Sequence, residues 1–373
     1  MNKMMQATRT TFLPLIAALV LAGCATVPAS GVTPVAEPPI RFKEAGERWT
    51  VAQPAEAQPR GQWWKAFADP VLDGLTERAG ASNASIQEAA SRLAQARALA
   101  RRTDADRSVQ LGVGASATRQ AGANTSGGPR PATLGVLGAD LAWEADLFGR
   151  LARASDAALL DAQARDALLQ STRLLVQAEV AQTYLGLRAV DAERALVRET
   201  VLAYQGSLQL TERRHRAGDV AELDVVRVRT ELASTEADAL ALDRRRAELE
   251  HALAVLVGEP ATSFGIGADN WVTALPVIPE GVPATVLARR ADVSAAQTGI
   301  LAAQARLGVA KAAWFPDIAL TASGGHASPE LGDLFKWSAR AWSVGALLSL
   351  PVFDGGRRQA GVDGAAAQLD LAL

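Results

Sequence analysis

Trp143-Glu144-Ala145-Asp146-Leu147-Phe148-Gly149-Arg150 is where the hydrophobic period of this chain changes. Before it, Leu137, Ala139, Leu141, Trp143, Ala145 and Leu147 alternate with Gly138, Asp140, Glu144 and Asp146, the period-two pattern of a strand with one apolar face. After it, Arg150 to Ala217 contains no proline and only two glycines, Gly186 and Gly206. Apolar residues there recur at heptad-like spacing: Leu168 and Leu175, Leu185 and Ala192, Ala195 and Leu202. A helix over that stretch would be about 100 Å long. The octet therefore predicts a switch from strand to long helix. Glu144 and Asp146, two apart and beside Arg150, read as junction groups that hydrogen-bond and pair charge, not as an acid/base pair.

Working upstream, Val109 to Arg119 alternates in the same way, and a polar loop with Gly127-Gly128-Pro129 joins it to the second strand as a hairpin. Before that, Asn83 can cap a helix reaching to about Arg107. Downstream, Gly218-Asp219 ends the long helix. A second helix is predicted from about Glu222 to Val257, with Leu242, Leu249 and Leu256 seven apart, and Gly258-Glu259-Pro260 stops it. Helices of this length read as the wall of a coiled-coil barrel or rod. Charges such as Arg244, Arg245 and Arg246 read as a solvated face.

The pattern then returns. Ala94-Gln95-Ala96-Arg97 reappears as Ala303-Gln304-Ala305-Arg306, and at the same offset Val109 and Leu111 meet Ile318 and Leu320. Trp342, Val344, Ala346, Leu348 and Leu350 alternate as a fourth strand, and Phe148-Gly149-Arg150 matches Phe353 and Gly356-Arg357 with two residues inserted. The unit helix, strand, strand, long helix thus occurs twice. The second copy has only twenty residues after Phe353, so it reads as cut short, a truncated protein or an incomplete gene model. Residues 63–260 form the first copy, 261–283 a Pro-rich linker and 284–373 an incomplete second copy.

Composition agrees with thin helical packing. The 373 residues include 78 alanines, and only 5% are aromatic. Lys+Arg 38 against Asp+Glu 40 leaves no basic excess for nucleic acid. His215, His251 and His326 are scattered and read as surface residues, which disfavours a zinc site. No catalytic constellation and no cofactor motif is found. The single cysteine, Cys24, follows Lys3, Arg9, an apolar run from Phe12 to Leu21, and Ala22-Gly23. That order is a secretory signal over 1–23. Residues 24–62, rich in Pro, Ala and Glu, read as a tether.

Leu21-Ala22-Gly23-Cys24 resembles a bacterial lipobox, which implies cleavage before Cys24 and covalent lipid on it; Ala25 favours the outer membrane. The rest resembles the TolC-type outer-membrane efflux channels, in the NodT- or OprM-like lipoprotein branch. The matching residues include Trp63-Trp64, Phe67, Asp69-Pro70, Leu72, Leu75, Ala79 and Asn83, the octet Trp143 to Arg150, and Leu253 to Gly258. They continue through Leu275-Pro276, Ile278-Pro279, Val282-Pro283 and Phe315-Pro316-Asp317-Ile318. Ala291 stands where family members usually have proline.

The resemblance implies an α+β membrane protein, a homotrimer whose four strands per chain close a 12-stranded barrel continuous with a long periplasmic helical barrel. Leu141 and Trp143 would face lipid, and Gln110, Thr118 and Asp140 a water-filled lumen. Trp143, Trp337 and Trp342 fit an aromatic girdle. By family analogy Arg216, Ala217, Gly218, Asp219 and Val220 form the tip that docks a periplasmic adaptor, although any helical hairpin needs such a connector. The expected function is a passive exit duct for small toxic compounds, working with an adaptor and an inner-membrane pump. The alternatives are a duct for type I protein secretion, or a lipid-anchored coiled-coil scaffold without a pore. Gate residues would lie in second-copy helices absent here, so none is named, and this 373-residue form alone is not expected to make a sealed, conducting trimer.

Overall fold

A computed structural model describes residues 61–120, 132–269 and 290–373, all within one contact unit, Pro39–Leu373. The lipobox and Cys24, the 122–131 loop and most of the inter-repeat linker lie outside the described residues.

The N-terminal helices start where the sequence supplies caps. After a 3-10 turn at Trp63–Phe67, helix α1 (Pro70–Ser82) begins at Asp69, whose carboxylate accepts from the N–H groups of Val71 at 2.9 Å and Leu72 at 3.2 Å. Asn83 ends α1 and caps α2 (Ala84–Ala105): its Oδ1 accepts from Ser85 N at 2.9 Å, and its Nδ2 donates to Leu256 O at 2.9 Å. With its backbone N–H donating to Ala79 O, this one residue joins three helix ends. Strands β1 (Gln110–Gln120) and β2 (Ala132–Glu144) follow. Helix α3 runs unbroken over the 67 residues Arg150–Arg216, and α4 covers Glu222–Leu256. The order then repeats with α5 (Ala291–Ala312), β3 (Asp317–Ser328), β4 (Arg340–Ser349) and α6 (Arg357–Ala372).

The second strand stops earlier than its alternation suggests. Ala145 still donates to Ile318 O at 2.8 Å, but Asp146 and Leu147 leave the ladder. Asp146 is drawn away because its carboxylate is needed at the helix that follows.

The four strands form one antiparallel sheet in the order β1-β2-β3-β4. Register sorts the side chains into two faces. One carries Gly112, Asp140, Ser323 and Ser343 in a row, and Gly114, Gly138, Gly325 and Ala341 in the next. The other carries Leu111, Val113, Leu137, Leu141, Trp143, Leu320, Val344 and Leu348. Strands of 10 to 13 residues match the 9–11 or so that a tilted strand needs to cross hydrocarbon. Among the described residues no helix is long and apolar enough to cross a membrane.

The buried core lies where α1 and α2 pack on the middle of α3 and the end of α4. It holds Leu72, Leu75, Leu93, Leu169, Val180, Tyr184, Leu187 and Leu253. Each such apolar side chain contributes about 1.5–3 kcal/mol. Elsewhere the helices expose Leu175, Leu202 and Leu240, so the protomer leaves apolar helix surface uncovered.

Candidate channel wall, junction and docking tip

The glycine-rich face is shaped for curvature. A Cβ on Gly325 would overlap Leu137 O and Gly138 Cα, and one on Gly138 would lie 2.9 Å from Gly324 O. Small residues here let the strands bend toward this face. A trough of about 400 Å³ runs along it, lined by Gly114, Ser116, Gly138, Asp140, Ser323 and Gly325. Asp140 has room because Gly112 opposite it carries no side chain: a Cβ there would stand 2.9 Å from both carboxylate oxygens. Ser323 and Ser343 share a hydrogen bond at 2.9 Å. The wall is therefore polar and small on one side and apolar on the other, and every residue of β4 is exposed. The outer edges of β1 and β4 have no partner strand among the described residues.

The octet builds the joint between wall and helix. Both Glu144 oxygens accept from Arg150 Nη2 at 2.7 Å, and Arg150 Nε lies 3.4 Å from Asp317 Oδ1 on β3. Hydrogen bonding and the nearby carboxylates of Glu144, Asp317 and Asp146 raise the Arg150 pKa despite opposing desolvation, so the guanidinium stays charged. Asp146 accepts from Leu151 N at 3.1 Å and Ala152 N at 2.7 Å, filling orphan donors in the first turn of α3. Gly149 sits at φ 72°, a left-handed conformation that glycine adopts freely. Phe148 stacks on Phe315 with centroids 4.7 Å apart. The second copy rebuilds the joint: Gly356 has φ 89°, and Asp354 accepts from Gly356 N at 3.1 Å and Arg358 N at 3.2 Å. Trp143 donates from Nε1 to Arg107 O at 3.0 Å, which ties β2 to the end of α2.

The turn between α3 and α4 lies one long helix away from the sheet, and it contains Arg216, Ala217, Gly218, Asp219 and Val220. Arg216 to Asp219 are exposed. Gly218 has φ 79°, Asp219 accepts from Arg214 Nε at 2.7 Å, and His215 Nδ1 lies 3.0 Å from Val220 O. The tip is thus held in shape while its surface stays open.

One expectation fails in part. Arg244 and Arg245 are solvated, but Arg246 is turned inward. Its Nε donates to Asp191 at 2.7 Å, its Nη1 to Glu250 at 3.1 Å and its Nη2 to Ile266 O at 2.5 Å. Asp191, 7% exposed, also faces Arg188 and Arg194, while Arg188 donates to Gly267 O at 2.7 Å and to Tyr184 Oη at 3.1 Å. Tyr184 in turn donates to Asp69 Oδ2 at 2.8 Å. This network pins the segment at 266–267 across α3 and α4. The Arg188, Asp191, Arg194 spacing along one helix face was its only trace in the sequence. His326 is likewise half-buried, not a surface residue, with Phe335 beside it at 6.2 Å. Among the described residues no group of His, Cys, Asp and Glu could hold a metal.

A two-faced sheet with open edges, joined by a rigid capped turn to a helix of about 100 Å, defines one wall segment of an outer-membrane channel. The family model described as "Outer membrane efflux protein" matches residues 75–259 and 282–373, and the chain belongs to that family. It is an outer-membrane efflux channel protein, a transport duct and not an enzyme. The toluene efflux pump outer membrane protein TtgI of Pseudomonas putida is 32% identical over 367 residues, covering 97% of this chain and 78% of the relative. OprJ of Pseudomonas aeruginosa is 33% identical over 317 residues, covering 83% and 66%. Among solved structures, the outer-membrane channel OprN superposes with a TM-score of 0.78 at 33% identity, covering 83% and 71%. VceC of Vibrio cholerae gives 0.77 at 28% identity, covering 83% and 75%.

Proposed function

We propose that three copies of this chain close one 12-stranded barrel, and that the assembly is the exit duct of a tripartite pump for small toxic compounds. The observation that carries this is the sheet itself. It has two unpaired edges and one apolar face, and hydrocarbon cannot satisfy open edges, so closure with further copies is the stable solution. The glycine-rich face then becomes the lumen and the apolar face meets lipid. TtgI is named as part of a toluene efflux pump, which supports a small apolar cargo.

In this reading Cys24 carries the lipid that anchors the N-terminus, several acyl chains each adding about 0.8 kcal/mol per buried CH₂. The exposed turn Arg216 to Val220 docks the periplasmic adaptor, which couples the duct to the inner-membrane pump. No cofactor takes part.

Cysteines at Ala115 on β1 and Val344 on β4 test closure. In outer membranes, oxidation is expected to link neighbouring copies into dimers and trimers. Absence of links in a folded, membrane-inserted protein supports the non-conducting scaffold instead. Substituting Gly218 and Asp219 is expected to abolish crosslinking to the adaptor while leaving assembly intact; undiminished crosslinking overturns the docking role.

A further inference from the structure

The connection between β3 and β4, residues 329–339, carries three large apolar side chains with no cover: Leu331, Phe335 and Trp337, at 67, 75 and 80% exposed. It folds over the apolar face of the sheet, away from the glycine-rich trough. A Cβ on Gly135 would lie 3.0 Å from Leu331 Cδ2, and Gly135 belongs to the row Ala117, Gly135, Ser328 of the apolar face. Phe335 sits beside His326, which stands opposite Leu137 on that same face. Ser328, at the end of β3, is buried.

Cations gather at this end. Arg340 pairs in register with His326, and its guanidinium lies over the Trp337 ring. Arg119, three strands across the sheet from Arg340, is the next residue on the same face beyond the pair Ala117 and Gly135. Neither arginine has a carboxylate partner among the described residues. Of the acids in the connection, Asp333 is already neutralised by Lys336 at 2.7 Å, which leaves Glu330. Exposed aromatics flanked by unpaired guanidinium groups match an interfacial amphiphile better than water or a protein edge. Rings settle at headgroup depth, and a guanidinium fork suits phosphate oxygens.

We propose that this patch binds the phosphorylated headgroup of an outer-leaflet lipid, with Arg340 facing one phosphate, Arg119 across the sheet facing a second, and Phe335 and Trp337 resting among the upper acyl carbons. The proposal rests on the apolar face being the lipid-facing one. Every residue of the patch belongs to one chain, so binding does not depend on barrel closure.

The test uses the purified full chain in neutral detergent, titrated with bisphosphorylated lipid A and with the same lipid stripped of both phosphates. The mass of the assembly is measured in parallel, so that failure to form trimers registers separately from failure to bind. The phosphorylated form is expected to bind at least about tenfold more tightly, the low end for one hydrogen bond to a charged group. Arg340→Gln with Arg119→Gln removes that preference and leaves binding of the stripped lipid intact. Phe335→Ser with Trp337→Ser weakens both lipids equally, at unchanged helix content. Equal binding of the two lipids by the natural chain, or a preference that survives loss of both arginines, overturns the proposal.

Discussion

Gly325 faces the backbone of β2 so closely that no side chain fits: its Cβ would overlap Leu137 O and Gly138 Cα, whereas Gly324 beside it has open space. Gly325→Ala is expected to cost about 1–3 kcal/mol, the usual penalty for overpacking. Gly324→Ala should be near neutral. Thermal melts of the two variants in detergent check the contrast. Asp191 is the second residue whose role is set by its surroundings. It is the shared acceptor for Arg188, Arg194 and Arg246, and Arg188 is itself buried. Asp191→Ala leaves buried Arg188 without a carboxylate, while Arg194 keeps Asp243 and Arg246 keeps Glu250, and should destabilise the fold by about 3–5 kcal/mol. An unchanged midpoint would show that the network contributes nothing.

At the scale of elements, the two strand-to-helix joints carry the same device from different spacings. Asp146 lies three residues before Gly149, while Asp354 lies two before Gly356, yet both carboxylates reach first-turn amides. Asp146→Ala should cost about 1 kcal/mol and speed hydrogen exchange at Leu151 and Ala152 specifically. The pairing of α3 with α4 adds a pH dependence. Hydrogen bonding to Arg194, aided by the charge of Arg198, holds the Asp243 carboxyl below its ordinary range. A depressed folded value means that the contribution is full above the unfolded value, near 4. It is lost as pH falls through the folded one. Asp243 is more than a third exposed, so solvent screening limits the effect to under about 1 kcal/mol. The melting midpoint should hold from pH 7 to pH 5 and drop below about 4, and Asp243→Asn should reduce the drop.

For the whole molecule, the exposed leucines along the helical wall are where the proposed three-copy assembly would be sealed. Leu175 is 66% exposed midway along the helical wall. Leu175→Glu is expected to leave protomer folding unchanged while removing the three-copy mass in light scattering; a surviving trimer would place the helix seam elsewhere.

The linear sequence alone determined the elements and their repetition. Periods of two and 3.6, the Asn83 cap, the glycines at 149, 218 and 356 and the octet at 143–150 are local signals, because each acts on residues within one or two turns of itself. The junction role of Glu144 and Asp146 was legible for the same reason. The tertiary structure decided what depends on neighbours far along the chain. Asp146 and Leu147 left the strand once the helix N-terminus claimed the carboxylate. Arg246 parted from Arg244 and Arg245 because one step along a helix turns a side chain by about 100°, and Asp191, fifty-five residues away, together with Glu250 and Ile266 O, made the inward direction favourable. The outward fold of the β3–β4 connection likewise rests on Gly135 and His326, whose places on the apolar face follow from register between strands and not from any run of adjacent residues.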